Sequence, residues 1–113
     1  MHKVGIKPMS VNVAWQGKRF KTPEYKRYER DLLLILPKKI DIPDGPLSVS
    51  YEFGFSAKTS DWDNPIKPFQ DILQKKYGFD DRRIMRAEVI KNIVKKGEEY
   101  IKFNISRELE AEL

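Results

Sequence analysis

Residues 47–55 read LSVSYEFGF: Leu47, Val49, Tyr51, Phe53 and Phe55 alternate with small or polar residues. A strict period of two in a run this rich in aromatic residues predicts a strand with one buried face. The flanking segments read as elements packed on it. Downstream, Asn64–Pro65 is expected to cap and open a helix whose apolar stripe is Ile66, Phe69, Leu73 and Tyr77, with Gly78 placed to stop it. Arg83–Val94 is expected as a strand, Lys96–Gly97 as a hairpin turn, and Tyr100–Ser106 as the returning strand, with Ile101, Phe103 and Ile105 on one face. Upstream, Thr22, Pro23 and Glu24 are a capping side chain, a first-turn proline and an acid near the positive end of the dipole. Tyr25, Tyr28, Leu32 and Ile35 then recur at helical spacing up to Pro37. Lys3–Lys7 reads as a short strand stopped by Pro8, residues 9–21 (MSVNVAWQGKRFK) as a loop, and residues 40–45 (IDIPDG) as a turn-rich connector. The expected order is β-α-β-α-β-β. That is an α+β (α/β) fold in a small single domain, 1–113, with a mixed sheet and two main helices.

Composition narrows the chemistry. The 113 residues are 40% hydrophobic, enough for one compact core, and small enough that burying surface in a dimer would help stability. There is no cysteine, and the only histidine is His2, so disulfides, thiolate sites and histidine-based metal or catalytic sites are not expected. A metal would take oxygen ligands, which favours Mg²⁺, Mn²⁺ or Ca²⁺. No apolar run is long enough to span a bilayer, and the N-terminus lacks the apolar core of a signal peptide, so a soluble cytoplasmic protein is expected. The net charge is +5 and it is segregated: Gly17–Arg30 holds six basic and two acidic residues, whereas RELEAEL from Arg107 is net acidic. Moderate basicity of this kind suits a nucleic-acid partner, though many other proteins share it.

Acid is concentrated in residues 61–67, DWDNPIK. If this stretch stays extended, Asp61 and Asp63 point the same way and Trp62 points to the other side, where it is expected to anchor the loop in the core. About 18 residues after this pair comes Asp80–Asp81, leading into the next strand. A helix returning the chain beside the central strand is expected to bring the two acid pairs together, and clustered carboxylates need a cation. Oxygen ligands in this spacing suit Mg²⁺, which can activate a water and stabilise the leaving oxygen of a phosphodiester. Lys67, one turn into the helix, could hold the scissile phosphate. Two simpler readings stand beside this one. Asp63 or Asn64 alone could cap the helix, and the stretch could be a solvated turn. An EF-hand loop fits badly, because Pro65 and Ile66 occupy the third-ligand and glycine places. A phosphoaspartyl phosphatase fits badly too, because Ala57–Ser60 separates the strand from the acids. Asp71 is expected to pair with Lys67 or Lys75 at helical spacing.

The whole run DWDNPIKPFQDILQKKYGFDDRRI resembles the signature of the RusA family of Holliday-junction resolvases. The shared parts are D-x-D-N, a lysine four after the second aspartate, a helix ending near a Gly-aromatic, and D-D-x-x-I/V opening a strand. PMSVNVAWQGKRFKT resembles the family's opening, and the likeness spans Lys3 to about Ser106. The resemblance implies a Mg²⁺-dependent endonuclease (Mn²⁺ as substitute), usually a homodimer, that resolves four-way DNA junctions by paired symmetric nicks in recombination and repair. The family is common on phages and prophages. Its carboxylates map onto Asp61, Asp63 and Asp81, with Asp80 the alternative to Asp81, and its lysine maps onto Lys67. The spacer from Lys67 to the second acid pair is slightly short for the family.

An acidic site needs basic surface around it to hold DNA. Lys18, Arg19, Lys21, Lys26 and Lys58 are the candidate phosphate contacts, with Arg27 and Arg30 beside them and Lys75, Lys76, Arg82, Arg83 and Arg86 flanking the second acid pair. Trp15 or Phe20 could act as a wedge at the junction crossover, and Asn12 could hold its loop near the acids. Two alternatives remain open: a non-catalytic DNA-binding protein, and a metal nuclease acting on flaps or forks.

Overall fold

The computed structural model describes residues 1–16 and 20–109. It is a small α+β domain built on a four-stranded mixed sheet. In chain order the elements are β1 (His2–Val4), α1 (Val11–Ala14), β2 (Trp15–Gln16), β3 (Phe20–Lys21), α2 (Pro23–Ile35), β4 (Leu47–Phe55), α3 (Ile66–Tyr77), a 3₁₀ turn (Asp81–Arg83), β5 (Ile84–Ile93) and β6 (Tyr100–Arg107). The sheet order is β1-β6-β4-β5.

The alternating segment is the strand expected, with the expected bounds, and it lies inside the sheet between β5 and β6. All five apolar positions are buried. β4 runs parallel to β5, joined to it through α3, and antiparallel to β6. The last two strands therefore do not form the expected hairpin. They flank β4, and residues 94–99 cross its end, where the Val94 amide donates to the Phe55 carbonyl at 2.7 Å. Burial explains which strand takes the inner place. β6 carries Ile101, Phe103 and Ile105, all buried, while β5 carries Arg86, Glu88 and Lys91, which an edge tolerates.

The described residues of the 9–21 segment, 9–16 and 20–21, are not a plain loop. Ser10 caps α1 by accepting from the Asn12 amide at 3.1 Å, and β2 pairs with β3 in a short antiparallel ribbon, Trp15 opposite Lys21. Thr22 caps α2 as expected, accepting from the Tyr25 amide at 3.2 Å. Tyr25, Tyr28 and Leu32 are buried, but Ile35 is 47% exposed. The helix ends at Ile35, the backbone turns extended, and Leu36 takes the buried place instead. Phe69 of α3 sits at the centre of the core, its ring 5.6 Å from Tyr51 and 5.6 Å from Phe103 in edge-on arrangements. Gly78 ends α3 at φ 73, its amide donating to the Gln74 carbonyl. Among the described residues, no helix is long and apolar enough to cross a membrane.

Candidate functional site

The acid loop follows the C-terminal end of β4 and leads into α3. Asp61 and Asp63 are both exposed. Neither caps the helix. Pro65 holds the N-cap position with no side-chain hydrogen bond, and Asp63 contributes only its carbonyl, to the Ile66 amide at 3.2 Å. The Asn64 amide group donates to Asp61 Oδ2 at 3.3 Å, so it orients that carboxylate instead of capping α3. The Asn64 carbonyl accepts from the Val11 amide at 2.8 Å. It is thus the start of α1, not the Asn12 side chain, that ties the N-terminal segment to the acid loop. Trp62 does not anchor the loop: it is 55% exposed and lies by Ile66, Ala87 and Val89, while Pro65 fills the buried position.

The second acid pair lies elsewhere. Leu47 pairs with Ile84 and Phe55 with Ile93, so Asp80–Asp81 precedes β5 at the end of the sheet where β4 begins. The Asp81 amide donates to the side chain of Gln74, in the second half of α3, at 3.1 Å. Asp61 and Asp63 stand before the first turn of the same helix. Twelve helical residues rise about 18 Å, and the two pairs sit toward opposite ends of that length. The expectation that α3 brings them together within one chain is not met, because a parallel crossover returns the chain to the starting end of the strand. Among the described residues no three carboxylates stand where they could share a cation.

Within the second pair the roles divide. Asp80 caps the 3₁₀ turn through the Arg82 amide at 2.9 Å and pairs with the Arg82 guanidinium at 2.8 Å, which holds its carboxyl below the usual range. Asp81 is exposed. Lys67 is exposed and pairs with Asp71 at 3.5 Å, the i, i+4 partner expected of it.

The basic residues sort into two groups. Lys26 and Lys58 are exposed, and so are Arg27 and Arg30 of α2, although Arg30 sits beside Asp31 at 3.4 Å. Lys18 and Arg19 lie outside the described residues. Lys21 is partly spent: it bonds Glu29 at 2.9 Å, and Lys75 reaches the same carboxylate at 2.7 Å, so Glu29 links β3, α2 and α3. Partial burial pushes the Glu29 carboxyl up, but the hydrogen bonds from Lys75 and Lys21 outweigh it and hold the group below its usual range. Lys76 donates to the Leu33 carbonyl at 2.6 Å, Arg83 to the Gly45 and Pro43 carbonyls, and Arg86 pairs with the buried Glu108. These three were expected as basic surface flanking the second acid pair, yet their side chains stitch elements together.

A cleft of about 560 Å³ opens beside Asp61, walled by Pro8, Met9, Val13, Phe55 and Pro65. Glu24 and Glu99 also line it. Hydrogen bonds from Ser56 and the Gly97 amide keep the Glu99 carboxyl below its usual range. Sequence reading placed Glu24 only as a helix-start acid and had no signal for Glu99, which reaches the cleft through the crossing segment after β5. Trp15 packs on Tyr25, ring centroids 5.8 Å apart, whereas Phe20 is 72% exposed.

The donor chemistry of the loop suits a hard cation. Mg²⁺ is commonly held by one or two carboxylates with the remaining positions left to water and substrate oxygens, and Asp61 and Asp63 can provide two. No family model matches the chain, and no curated protein matches it.

Proposed function

We propose that the chain is a Mg²⁺-dependent endodeoxyribonuclease of branched DNA, four-way junctions first, acting in the cytoplasm as a homodimer. The observation that carries this reading is the state of the acid loop: Asp61 and Asp63 are exposed, neither is consumed as a helix cap, and Lys67 follows one turn later. In this reading Asp61, held by Asn64, and Asp63 bind the cation. When bound, the cation supplies an activated water and charge stabilisation at the leaving oxygen of a phosphodiester. Lys67 leaves its loose pair with Asp71 and contacts the scissile phosphate. Lys26 and Lys58, together with Lys18 and Arg19, hold the flanking backbone. Asp81 is the third carboxylate, because Asp80 is occupied by Arg82. In this reading the separation of the acid pairs within one chain assigns the third carboxylate to a second copy in the homodimer.

The test is cleavage of a synthetic mobile four-way junction, beside linear duplex, a flap and a fork, with Mg²⁺ and with EDTA. Paired symmetric nicks confined to the junction with Mg²⁺ are expected. Cleavage of flaps or forks alone moves the substrate assignment. Binding without cleavage favours a second reading, a non-catalytic DNA-binding protein. What supports that one is the failure of three carboxylates to converge among the described residues of one chain.

A further inference from the structure

The acid loop leaves its largest side chain in the open. Trp62 is 55% exposed, with Asp61 and Asp63 on either side of it in the chain. Tryptophan is ordinarily buried over most of its surface. Here Pro65 fills the buried place, and the indole lies on the outside by Ile66, Ala87 and Val89. Those three side chains support the ring without enclosing it. Three exposed lysines are grouped with it. Lys58 precedes it and Lys67 follows it in the chain, and Lys91 borders the same surface and donates to the Lys58 carbonyl at 2.9 Å. Glu88 borders that surface too.

We propose that Trp62 is a stacking platform for one unstacked nucleobase of bound DNA, and so a specificity-determining residue of the acid loop. The inference rests on the DNA reading above and adds the group that meets a base. Charge decides which part of a nucleotide meets the ring. Asp61, Asp63 and Glu88 repel a phosphate wherever no cation bridges, whereas a base is neutral and stacks beside carboxylates without that penalty. The three lysines take the flanking phosphates, which fixes position without reading sequence. The Cα of Trp62 is one peptide, about 3.8 Å, from that of each aspartate, so one nucleotide can set its phosphate at a cation on the aspartates and its base on the indole. In linear duplex both faces of each internal base are covered by its neighbours, and the platform has nothing to take. A single strand or a branch point leaves a face free. Stacking of this kind tolerates any base, since every base has a π-face. Trp15 is not an equivalent platform, because its ring packs on Tyr25.

The chain has two tryptophans, so Trp15→Phe leaves Trp62 as the single indole and keeps a ring against Tyr25. This variant is titrated in EDTA, which stops metal-dependent cleavage, with oligothymidylate, a four-way junction and a blunt linear duplex. Trp62 emission is expected to fall about two-fold with the first two and to change little with the duplex. Trp62→Ala is expected to weaken single-strand and junction binding about ten-fold and to leave duplex binding as it is. The slope of affinity against salt is expected to stay the same, because stacking releases no counter-ion. Trp62→Phe is expected to recover most of the loss and Trp62→Leu little of it, which separates stacking from lost packing. Emission that no oligonucleotide quenches overturns the proposal, as does W62A binding single strands like the parent or W62L recovering as much as W62F. Emission that changes with protein concentration alone, and then not with DNA, overturns it too and assigns the ring to a contact between copies. Quenching by a chain that cuts no substrate with Mg²⁺ supports the platform and removes the nuclease reading; junction cleavage without quenching does the reverse.

Discussion

At the scale of single residues, sequence reading succeeded where one side chain has one physical use. Thr22 before Pro23 caps α2, Gly78 takes a positive φ, and the odd-numbered positions of 47–55 are buried. It failed where a neighbour decides. Trp62 was expected in the core but Pro65 fills that place, and Asn64 spends its amide on Asp61. Gly54 shows a constraint that no pattern in the chain reveals. It lies directly across from Tyr100, and a Cβ there would stand 2.4 Å from that ring. Gly54→Ala is therefore expected to cost about 1–3 kcal/mol by overpacking, read as a lower urea midpoint with an unchanged slope. An unshifted midpoint would show that the ring swings clear. Asp63→Asn is expected to reduce junction cleavage to background while binding holds or tightens, since it removes a metal ligand and a repulsive charge. Parent-like cleavage by D63N would remove Asp63 from the site.

At the scale of elements, existence and type were legible and pairing was not. The boundaries of β4, β5 and β6 came within a residue of expectation, because each follows from alternation and its flanking turn residues. Whether 94–99 closes a hairpin or crosses over β4 depends on which strand brings enough apolar surface to lie inside, a property of the assembled sheet. The same topology parts the acid pairs, since a parallel return starts again at the beginning of the neighbouring strand. The ribbon and α1 escaped notice because elements of two to four residues carry too little pattern. They are tied to α2 by Thr22, whose hydroxyl both caps the helix and donates to the Val13 carbonyl at 2.7 Å. Thr22→Ala is expected to cost about 1 kcal/mol, seen as a fall of several degrees in Tm. Hydrogen exchange should also quicken at the Tyr25 amide; exchange unchanged there would mean the cap bond is not formed in solution.

At the scale of the whole molecule, charge couples stability to the proposed DNA surface through Glu29. The carboxyls of Glu29, Asp80 and Glu99 all lie below their usual range in the fold. A depressed carboxyl contributes stability that is present above its unfolded value, about 4, and lost as pH falls through its folded value. Urea midpoints are therefore expected to hold from neutral pH to about 5 and to fall steadily below 4. Glu29→Gln separates one share of this. Its side chain is only 15% exposed, but its lysine partners are 36% and 56% exposed, so screening limits the loss at pH 7 to roughly 1 kcal/mol. The parent and E29Q curves are expected to converge as pH drops, because the parent's carboxylate is then protonated as well. Curves that stay parallel to pH 2 would assign the loss to packing. At neutral pH the same variant leaves the Lys21 and Lys75 ammonium groups without their shared counter-charge. If this face meets the phosphate backbone, E29Q binds DNA more tightly than the parent and with a steeper salt dependence. A variant that is less stable yet binds no better would place Lys21 in the fold's internal bracing and off the DNA path.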